Sequence, residues 1–492
     1  MKTYWTLAAL AVVVLGGASV WMGGLNQDEG WYLYAANLVA EGKMPYRDFF
    51  FTQGPVLPRF YSAFAWAWRG GGLLGARILT LAIGLVGIFF AALTARRMVP
   101  DDRKDAAALV VTLLLGCNLY HLYYLTIPKT YALASVFVAG GFGVLAGVPE
   151  EKAHARAGFL CAAIAGGLLA QAAGTRVSLG ALPAAVGLLL LLLRRWRLLA
   201  GFCAGGFAGL SLAYLPFLCD ADARAGLLAA QRYHAARGGF DPMWTVGSLS
   251  RLVRWYQPVF IVLGLGLAGR WSGRCRATRA ADPLLWGFLA VFTLQMLAPF
   301  PYEDYQVPIM GLLAVFATVQ FLSAAPSGRA WPVLLVLGLS FATSFGSPLL
   351  EKWTTNGQNM LWTLKKEKTE LAQLRDVARR IEKLDPGGKT LLTQDLYLAV
   401  ETGRKVPVGL EMGPFSMLDD AGWRRLLADA PRTCPVAALS GYTFAVEPPA
   451  CLQRPAARQL AYWKLLTASY EPVFREEAFG QNATPLLVLK RK

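Results

Sequence analysis

Apolar runs of about twenty residues, broken by short polar clusters, recur from residue 4 to residue 349. LLGARILTLAIGLVGIFFAALTA (73–95) and LLAGFCAGGFAGLSLAYLPFL (198–218) are almost free of charge. A helix of about 20 residues crosses a hydrocarbon layer ~30 Å thick. Inside lipid the backbone must satisfy its own N–H and C=O groups, so such runs should be helical. The pattern predicts eleven spans, at 4–25, 72–94, 106–125, 130–148, 157–174, 177–193, 198–218, 250–269, 283–299, 307–324 and 331–349. Two connecting stretches, 26–71 and 219–249, are too long to be simple turns, and loops of that length in a compact fold usually carry function. Within the first, PVLPRFYSAFAWAW (55–68) holds two prolines and Arg59, so it reads as an aromatic helix lying in the interface rather than a span.

Beyond residue 350 charge returns, with Glu351, Lys352, Lys365, Lys366, Glu367 and Lys368 close together. Leu364, Leu371, Leu374, Ile381 and Leu384 recur at near-heptad spacing and predict an amphipathic helix over 359–384, ended by Pro386-Gly387-Gly388. KTLLT (389–393), VPVGL (406–410), CPVAALS (434–440) and TPLLVLK (484–490) read as short strands. The chain therefore divides into a membrane domain, 1–350, and a small α/β domain, 351–492.

Charged residues make up 16% of the chain, against roughly 25% in soluble domains. The net charge of +17 does not indicate a nucleic-acid partner, because the basic residues sit in clusters between apolar runs, the pattern that orients membrane helices. With the N-terminus inside, those clusters are Arg96, Arg97, Arg103 and Lys104; Lys152 and Arg156; Arg194, Arg195 and Arg197; Arg270, Arg274, Arg276 and Arg279; and Arg329. An odd number of spans then places the C-terminal domain outside. The run at 4–25 is long and no small-residue cleavage site follows it, so a retained helix is expected rather than a signal peptide. Of the seven cysteines, Cys117, Cys161, Cys203 and Cys219 read as packing residues in or beside spans. Cys434 and Cys451 both fall in the C-terminal domain, where an oxidising compartment allows a disulfide without requiring one.

Candidate chemistry concentrates in NQDEGWYLYAANLVAEGKMPYRDFFFTQGP (26–55). Trp31, Tyr34, Ala35, Leu38 and Val39 mark one face of a helix of about three turns along the membrane surface, with Asp28 at its N-cap and Gly42 at its end. Asp28 is either such a cap or a carboxylate held beside apolar walls to take a proton from an incoming hydroxyl or amine. Glu29 is either a solvated first-turn acid or a partner that orients groups or helps hold a divalent cation. Lys43, Arg47, Arg59, Lys129 and Arg176 are cations on the same side. Arg176, between two closely spaced spans, either snorkels to headgroups or has a task that justifies its cost; Arg47 has Asp48 beside it as a local ion pair. Glu303, Asp304 and Tyr305 lie on the turn before the tenth span, positioned to approach the first loop if the bundle closes on itself. His121 and His234 are also on this side, but three histidines far apart in sequence do not suggest a histidine metal cluster.

The run DEGWYLYAANLVAEGKMPYRDFF resembles the "DE-x-x-Y…G…P" signature of C-type (GT-C) glycosyltransferases, a group that includes protein O-mannosyltransferases and the lipid A aminoarabinose transferase. GTRVSLGALPAAVGLLLLLLRRWR (174–197) and PYEDYQVPIMGLLAV (301–315) are similar to further segments of that family. Where the aminoarabinose transferases carry a Lys-Pro pair downstream of the acids, this chain has Thr52-Gln53-Gly54-Pro55. The resemblance implies a polytopic α-helical membrane protein of the GT-C type, with about eleven transmembrane helices and an extracytoplasmic α/β domain. It implies a bacterial inner-membrane enzyme with its N-terminus cytoplasmic and its C-terminal domain periplasmic. Such an enzyme moves a sugar from a polyprenyl-phosphate donor to a glycan, lipid or protein acceptor at the outer face. Asp28 would be the general base and Glu29 its assistant. Lys43, Arg47, Arg59, Lys129, Arg176 and Tyr305 are the candidates for gripping the lipid phosphate, and Glu29 with Asp304 for holding a divalent metal. A flippase for a lipid-linked sugar is the alternative; it would place polar groups at mid-membrane on broken, repeated helices, and no internal repeat is visible. A scaffold that merely binds glycans would not need an acidic pair beside the first span.

Overall fold

The computed structural model describes residues 2–148, 156–236, 238–272, 281–325, 330–354, 368–440 and 457–492. Helices dominate: α1 (Lys2–Met22), α2 (Gln27–Ala40), α3 (Val56–Ala63), α4 (Ala65–Trp68), α5 (Gly72–Arg97), α6 (Lys104–Gly116), α7 (Leu119–Thr126), α8 (Thr130–Ala146), α9 (Arg156–Thr175), α10 (Ala181–Leu192) and α11 (Trp196–Leu218). They continue with α12 (Ala221–Ala235), α13 (Pro242–Trp255), α14 (Gln257–Trp271), α15 (Asp282–Met296), α16 (Val307–Ala324), α17 (Trp331–Phe345) and α18 (Pro348–Thr354). The C-terminal elements are α19 (Glu370–Leu384), α20 (Leu396–Thr402), α21 (Asp420–Thr433), β1 (Val436–Ser440), α22 (Ala457–Ser469), β2 (Tyr470–Phe479) and β3 (Thr484–Arg491).

Among the described residues five helices are long and apolar enough to cross a membrane, or up to eight if each of three bent pairs counts as one span. Apolar helices also occupy the expected spans at 130–148, 177–193 and 283–299, but they are shorter. An apolar helix or bent helix pair thus lies at each of the eleven expected spans, but only five are single helices long enough to cross and three are broken. The breaks have local causes. The α6–α7 pair bends by 71° and the α13–α14 pair by 84°, and Asn118 sits at both. Its Oδ1 accepts from the His121 amide to cap α7, while its Nδ2 donates to the Trp255 carbonyl at the end of α13. Ser344 donates to the freed Cys117 carbonyl, and Pro258, in the first turn of α14, has no N–H to lose. Backbone groups released by the breaks thus find partners, as an apolar surrounding demands.

The segment 55–68 forms α3 and α4, with Trp66 82% exposed. The expected surface helix does not lie free. Residues 29–36 of α2 are all buried, enclosed by α3 and the C-terminal α20. A Cβ on Gly30 would stand 2.2 Å from the Tyr397 amide nitrogen, so only glycine permits this approach of α2 to α20. One buried cluster accordingly joins Trp31, Leu33 and Tyr34 of α2 to Leu371 and Leu374 of α19 and to Val436, Leu486 and Val488 of the sheet.

In the C-terminal segment, α19 buries Leu371, Leu374, Val377 and Ile381 on one face; the expected residues 359–367 lie outside the described residues, as do Lys152, Arg237, Arg274, Arg276, Arg279 and Arg329. The sheet has order β1-β3-β2, antiparallel, with Val436 opposite Lys490 and Ser440 opposite Leu486. Two expected strands are present as β1 and β3. Residues 389–393 make only isolated bridges, Thr390 to Lys405 and Leu392 to Ala437, and 406–410 form no strand. The second strand, YEPVFREEAF, was not expected: it is a charged edge strand whose register shifts between Pro472 and Phe474, the composition by which edges avoid further pairing. Cys434 is buried, and Cys451 lies outside the described residues.

Candidate active site at the start of α2

The acidic pair begins α2 but does not cap it. Asn26 is the N-cap, its side chain accepting from the Asp28 amide, and Glu29 Oε1 accepts from the Asn26 amide to complete a capping box. Asp28 is thereby released from capping, and the two acids point to different sides of the helix.

Glu29 points into the protein. Its carboxylate is fully buried and takes both arms of Arg77 from α5, Nε to Oε2 at 2.7 Å and Nη2 to Oε1 at 2.6 Å. The remaining guanidinium N–H groups donate to the carbonyls of Val20, Gly23 and Gly24 at the end of α1. All five donors are used, which is the condition under which a buried ion pair is tolerable. Glu29 therefore ties α1, α2 and α5 together and is not presented to a metal ion, contrary to expectation.

Asp28 points into a cavity of about 360 Å³ lined by Trp31, Tyr32, Tyr124, Tyr302, Asp304 and Tyr305, among others. Trp31 Nε1 donates to its Oδ1 at 3.0 Å, and the Lys129 ammonium stands 2.7 Å from its Oδ2. Lys129 comes from the turn before α8 and also contacts Asp304 Oδ2 at 3.0 Å, where the Tyr131 hydroxyl donates as well at 2.7 Å. Burial pushes the Asp28 carboxyl up, but Lys129, by charge and hydrogen bond, and Trp31 outweigh it and hold the group below the ordinary carboxylate range. Burial likewise pulls Lys129 down, and the two aspartates more than reverse this, keeping it charged.

Arg176 is different. It begins the short helix Val177–Gly180, where its guanidinium lies over the Tyr305 ring, 4.0 Å from the centroid, and 5.4 Å from that of Tyr131. No carboxylate forms an ion pair with it among the described residues. It lines the Asp28 cavity and a second one of about 460 Å³. The second is walled by apolar residues such as Val177, Leu294, Leu297 and Phe300, and it shares Thr52, Gln53, His234 and Tyr305 with the first. His234, on α12 of the long 219–249 stretch, donates from Nε2 to the Thr52 carbonyl at 2.7 Å. A Cβ on Gly54 would fall 2.0 Å from the Gly174 carbonyl oxygen; this contact brings Thr52 and Gln53 beside the end of α9 that carries Arg176.

Of the expected site residues, the structure gathers Asp28, Lys129, Arg176, Asp304, Tyr305 and His234. Lys43 is exposed outside the cavity. Arg47 is paired with Asp48 and Asp220, and Arg59 donates to the carbonyls of Leu212 and Ala213. Glu303 lines the cavity but accepts from Arg251, and His121 is buried against the Tyr256 hydroxyl. Sequence reasoning missed Arg77, Tyr131, Phe415 and Gln481. The last two bring the C-terminal segment to the Asp28 cavity, with Gln481 Oε1 accepting from the Gln27 amide. The residues proposed for a metal do not fit one: Glu29 is spent on Arg77, and an ammonium already lies between Asp28 and Asp304. Among the described residues no group of three or more His, Cys, Asp or Glu could hold a metal ion.

No family model matches the chain, and no curated protein sequence matches it. Solved structures do. ArnT from Cupriavidus metallidurans, crystallised with undecaprenyl phosphate, is similar at a TM-score of 0.64 and 15% identity over 99% of this chain and 98% of that one. The oligosaccharyltransferase AglB from Archaeoglobus fulgidus, in complex with an inhibitory peptide and a dolichol-phosphate, is similar at 0.51 and 12% over 98% and 74%. The same archaeal enzyme in complex with Zn and sulfate gives 0.51 and 12% over 96% and 72%. The chain shares the overall fold of these two enzymes.

Proposed function

We propose that this protein is an inverting glycosyltransferase that moves a sugar from a polyprenyl-phosphate donor to an acceptor hydroxyl or amine in the Asp28 cavity, at the outer face of the membrane. One observation carries the reading: Asp28 and an arginine that has no acidic partner among the described residues face a common cavity, and that arginine also faces an apolar slot. Lipid-linked donors need both halves of this arrangement. The slot, lined by Leu294, Leu297 and Phe300, takes the first isoprene units, and Arg176 meets the phosphate. The sugar then projects into the aromatic cavity, whose tyrosines offer hydroxyls and ring faces. The acceptor oxygen or nitrogen attacks the anomeric carbon. Its proton passes to Asp28 as the bond to the phosphate oxygen breaks, and the electron pair leaves with the polyprenyl phosphate. Negative charge grows on that phosphate during the step, and a fixed cation aimed there lowers the barrier. The structural neighbours crystallised with undecaprenyl phosphate and dolichol-phosphate support a lipid-phosphate carrier of this class. The C-terminal elements close the cavity through Phe415 and Gln481 and are placed to bear on acceptor choice.

The test is lipid binding followed by native mass spectrometry in detergent, with undecaprenyl phosphate as probe. One lipid per chain is expected, with Asp28→Asn binding it as wild type and Arg176→Ala binding it at least 10-fold more weakly. Equal binding of undecaprenol and undecaprenyl phosphate would remove the phosphate site and with it this reading.

A further inference from the structure

We infer that Lys129 is a built-in replacement for a bridging divalent cation, holding Asp28 and Asp304 together so that the site functions without a metal ion. The bridging rests on geometry alone, while its consequence for catalysis rests on the transferase reading above.

Two carboxylates facing one cavity repel each other, and a cation between them is the usual remedy. A divalent ion of the oxygen-loving kind takes about six oxygen ligands from carboxylates, carbonyls and water. Here the position is held by nitrogen. Lys129 Nζ lies 2.7 Å from Asp28 and 3.0 Å from Asp304, with its side chain only 9% exposed. The ammonium is fixed from both ends. Its residue precedes α8 directly, with its amide donating to the Ile127 carbonyl, and its charge lies 4.8 Å from the centroid of the Tyr131 ring. Each acid also accepts from a second donor, Trp31 Nε1 on Asp28 Oδ1 and the Tyr131 hydroxyl on Asp304 Oδ2. A metal entering here would meet an ammonium and two N–H or O–H donors. The other acids nearby do not complete a ligand set, since Glu29 holds Arg77 and Glu303 holds Arg251. Lysine supplies a single charge that cannot dissociate, and it leaves the lipid phosphate to Arg176. The archaeal neighbour crystallised with Zn shares the fold, and this chain's acids are arranged for a different cation.

The experiment measures Mn²⁺ binding to the purified full-length protein by electron paramagnetic resonance and calorimetry, and thermal melting with and without Mn²⁺ or EDTA. Wild type is expected to bind no Mn²⁺ that depends on Asp304 and to melt at the same temperature in all three conditions. Lys129→Glu places a third carboxylate in the gap. It is expected to melt lower, to gain one equivalent of Mn²⁺ and to recover its melting temperature when Mn²⁺ is added, and the added Asp304→Asn change should abolish that gain. One equivalent of Mn²⁺ on wild type, lost in Asp304→Asn, would overturn the proposal. So would a folded Lys129→Glu that gains none. If that variant does not fold, the wild-type measurement decides alone. The transfer assay provides a separate arm, in which wild type should keep its rate in EDTA, and a loss restored by Mn²⁺ would contradict the inference. A fully active Asp28→Asn would sink the assignment of Asp28 as base, and a wild type without transfer would sink the transferase reading, both leaving the Mn²⁺ result intact.

Discussion

The front and back of helix α2 carry neighbouring acids with opposite employment. On the back, Glu29 is fully buried in a bidentate pair with Arg77, and Gly30 lets α20 approach to contact distance. On the front, Asp28 is about a quarter exposed and faces a cavity with Lys129, Asp304 and Arg176. Adjacent residues on a helix lie about 100° apart, so a dipeptide of acids can serve two sides at once. The back fixes the position of the helix in the bundle, and the front presents at that position the acid proposed as the base. Rigid support behind a reacting group is what holds it within the fraction of an ångström that catalysis needs.

Substitutions separate the two faces. The largest effect on stability belongs to the back. Arg77→Met leaves a buried carboxylate uncompensated and should cost roughly 3–5 kcal/mol, whereas the double change Arg77→Met with Glu29→Gln should recover part of that loss. Equal melting of the single and double variants would show that the pair does not act as a unit.

Beside the same helix, Asp395 sharpens the picture of how the C-terminal segment docks. Burial pushes its carboxyl up to about 6, partly offset by hydrogen bonds from Ser440, Tyr397 and Gln27 of α2. A folded-state pKa above the unfolded one means that the folded protein binds the proton more tightly. The associated stability is full below the unfolded pKa near 4 and is lost as pH rises through about 6. Asp395→Asn should therefore stabilise the protein at pH 7.5 by up to roughly 3 kcal/mol and change little at pH 4, as followed by melting across that range.

The front should respond in binding and rate rather than in folding. Arg176→Ala should raise the KM for the lipid donor about 10-fold, about 1.4 kcal/mol, with melting unchanged; an unaltered KM would move the phosphate to another cation. Least affected should be Arg47→Ala and Arg59→Ala, whose side chains are engaged outside the cavity. Less than a twofold change in KM is expected for each, and a larger one would redraw the phosphate site.

Much of this could be read from the chain. Runs of apolar residues gave away the helical bundle, and the start of α2 was legible to within two residues, the sequence placing its cap at Asp28 where the structure uses Asn26 with Glu29. Arg77 had a visible signal, a lone arginine within an apolar run, which is costly without a partner; its partner was not visible. Pairing of Lys129 with Asp304 spans 175 residues and depends on how the helices close, which local pattern does not encode. The helix breaks at Asn118 and Tyr256 are hidden inside apolar stretches that read as single spans. Phe415 and Gln481 reach the cavity through tertiary docking of the C-terminal segment, and β2 escaped notice because an edge strand rich in glutamate and arginine lacks apolar alternation.

The central claim is that the front acid performs the proton transfer, and a single-turnover assay with labelled polyprenyl-phosphate sugar measures it. Asp28→Asn, folded and loaded with the lipid, should release sugar to acceptor at least about 10³-fold more slowly than wild type. Transfer within a few-fold of wild type by that variant would contradict the account.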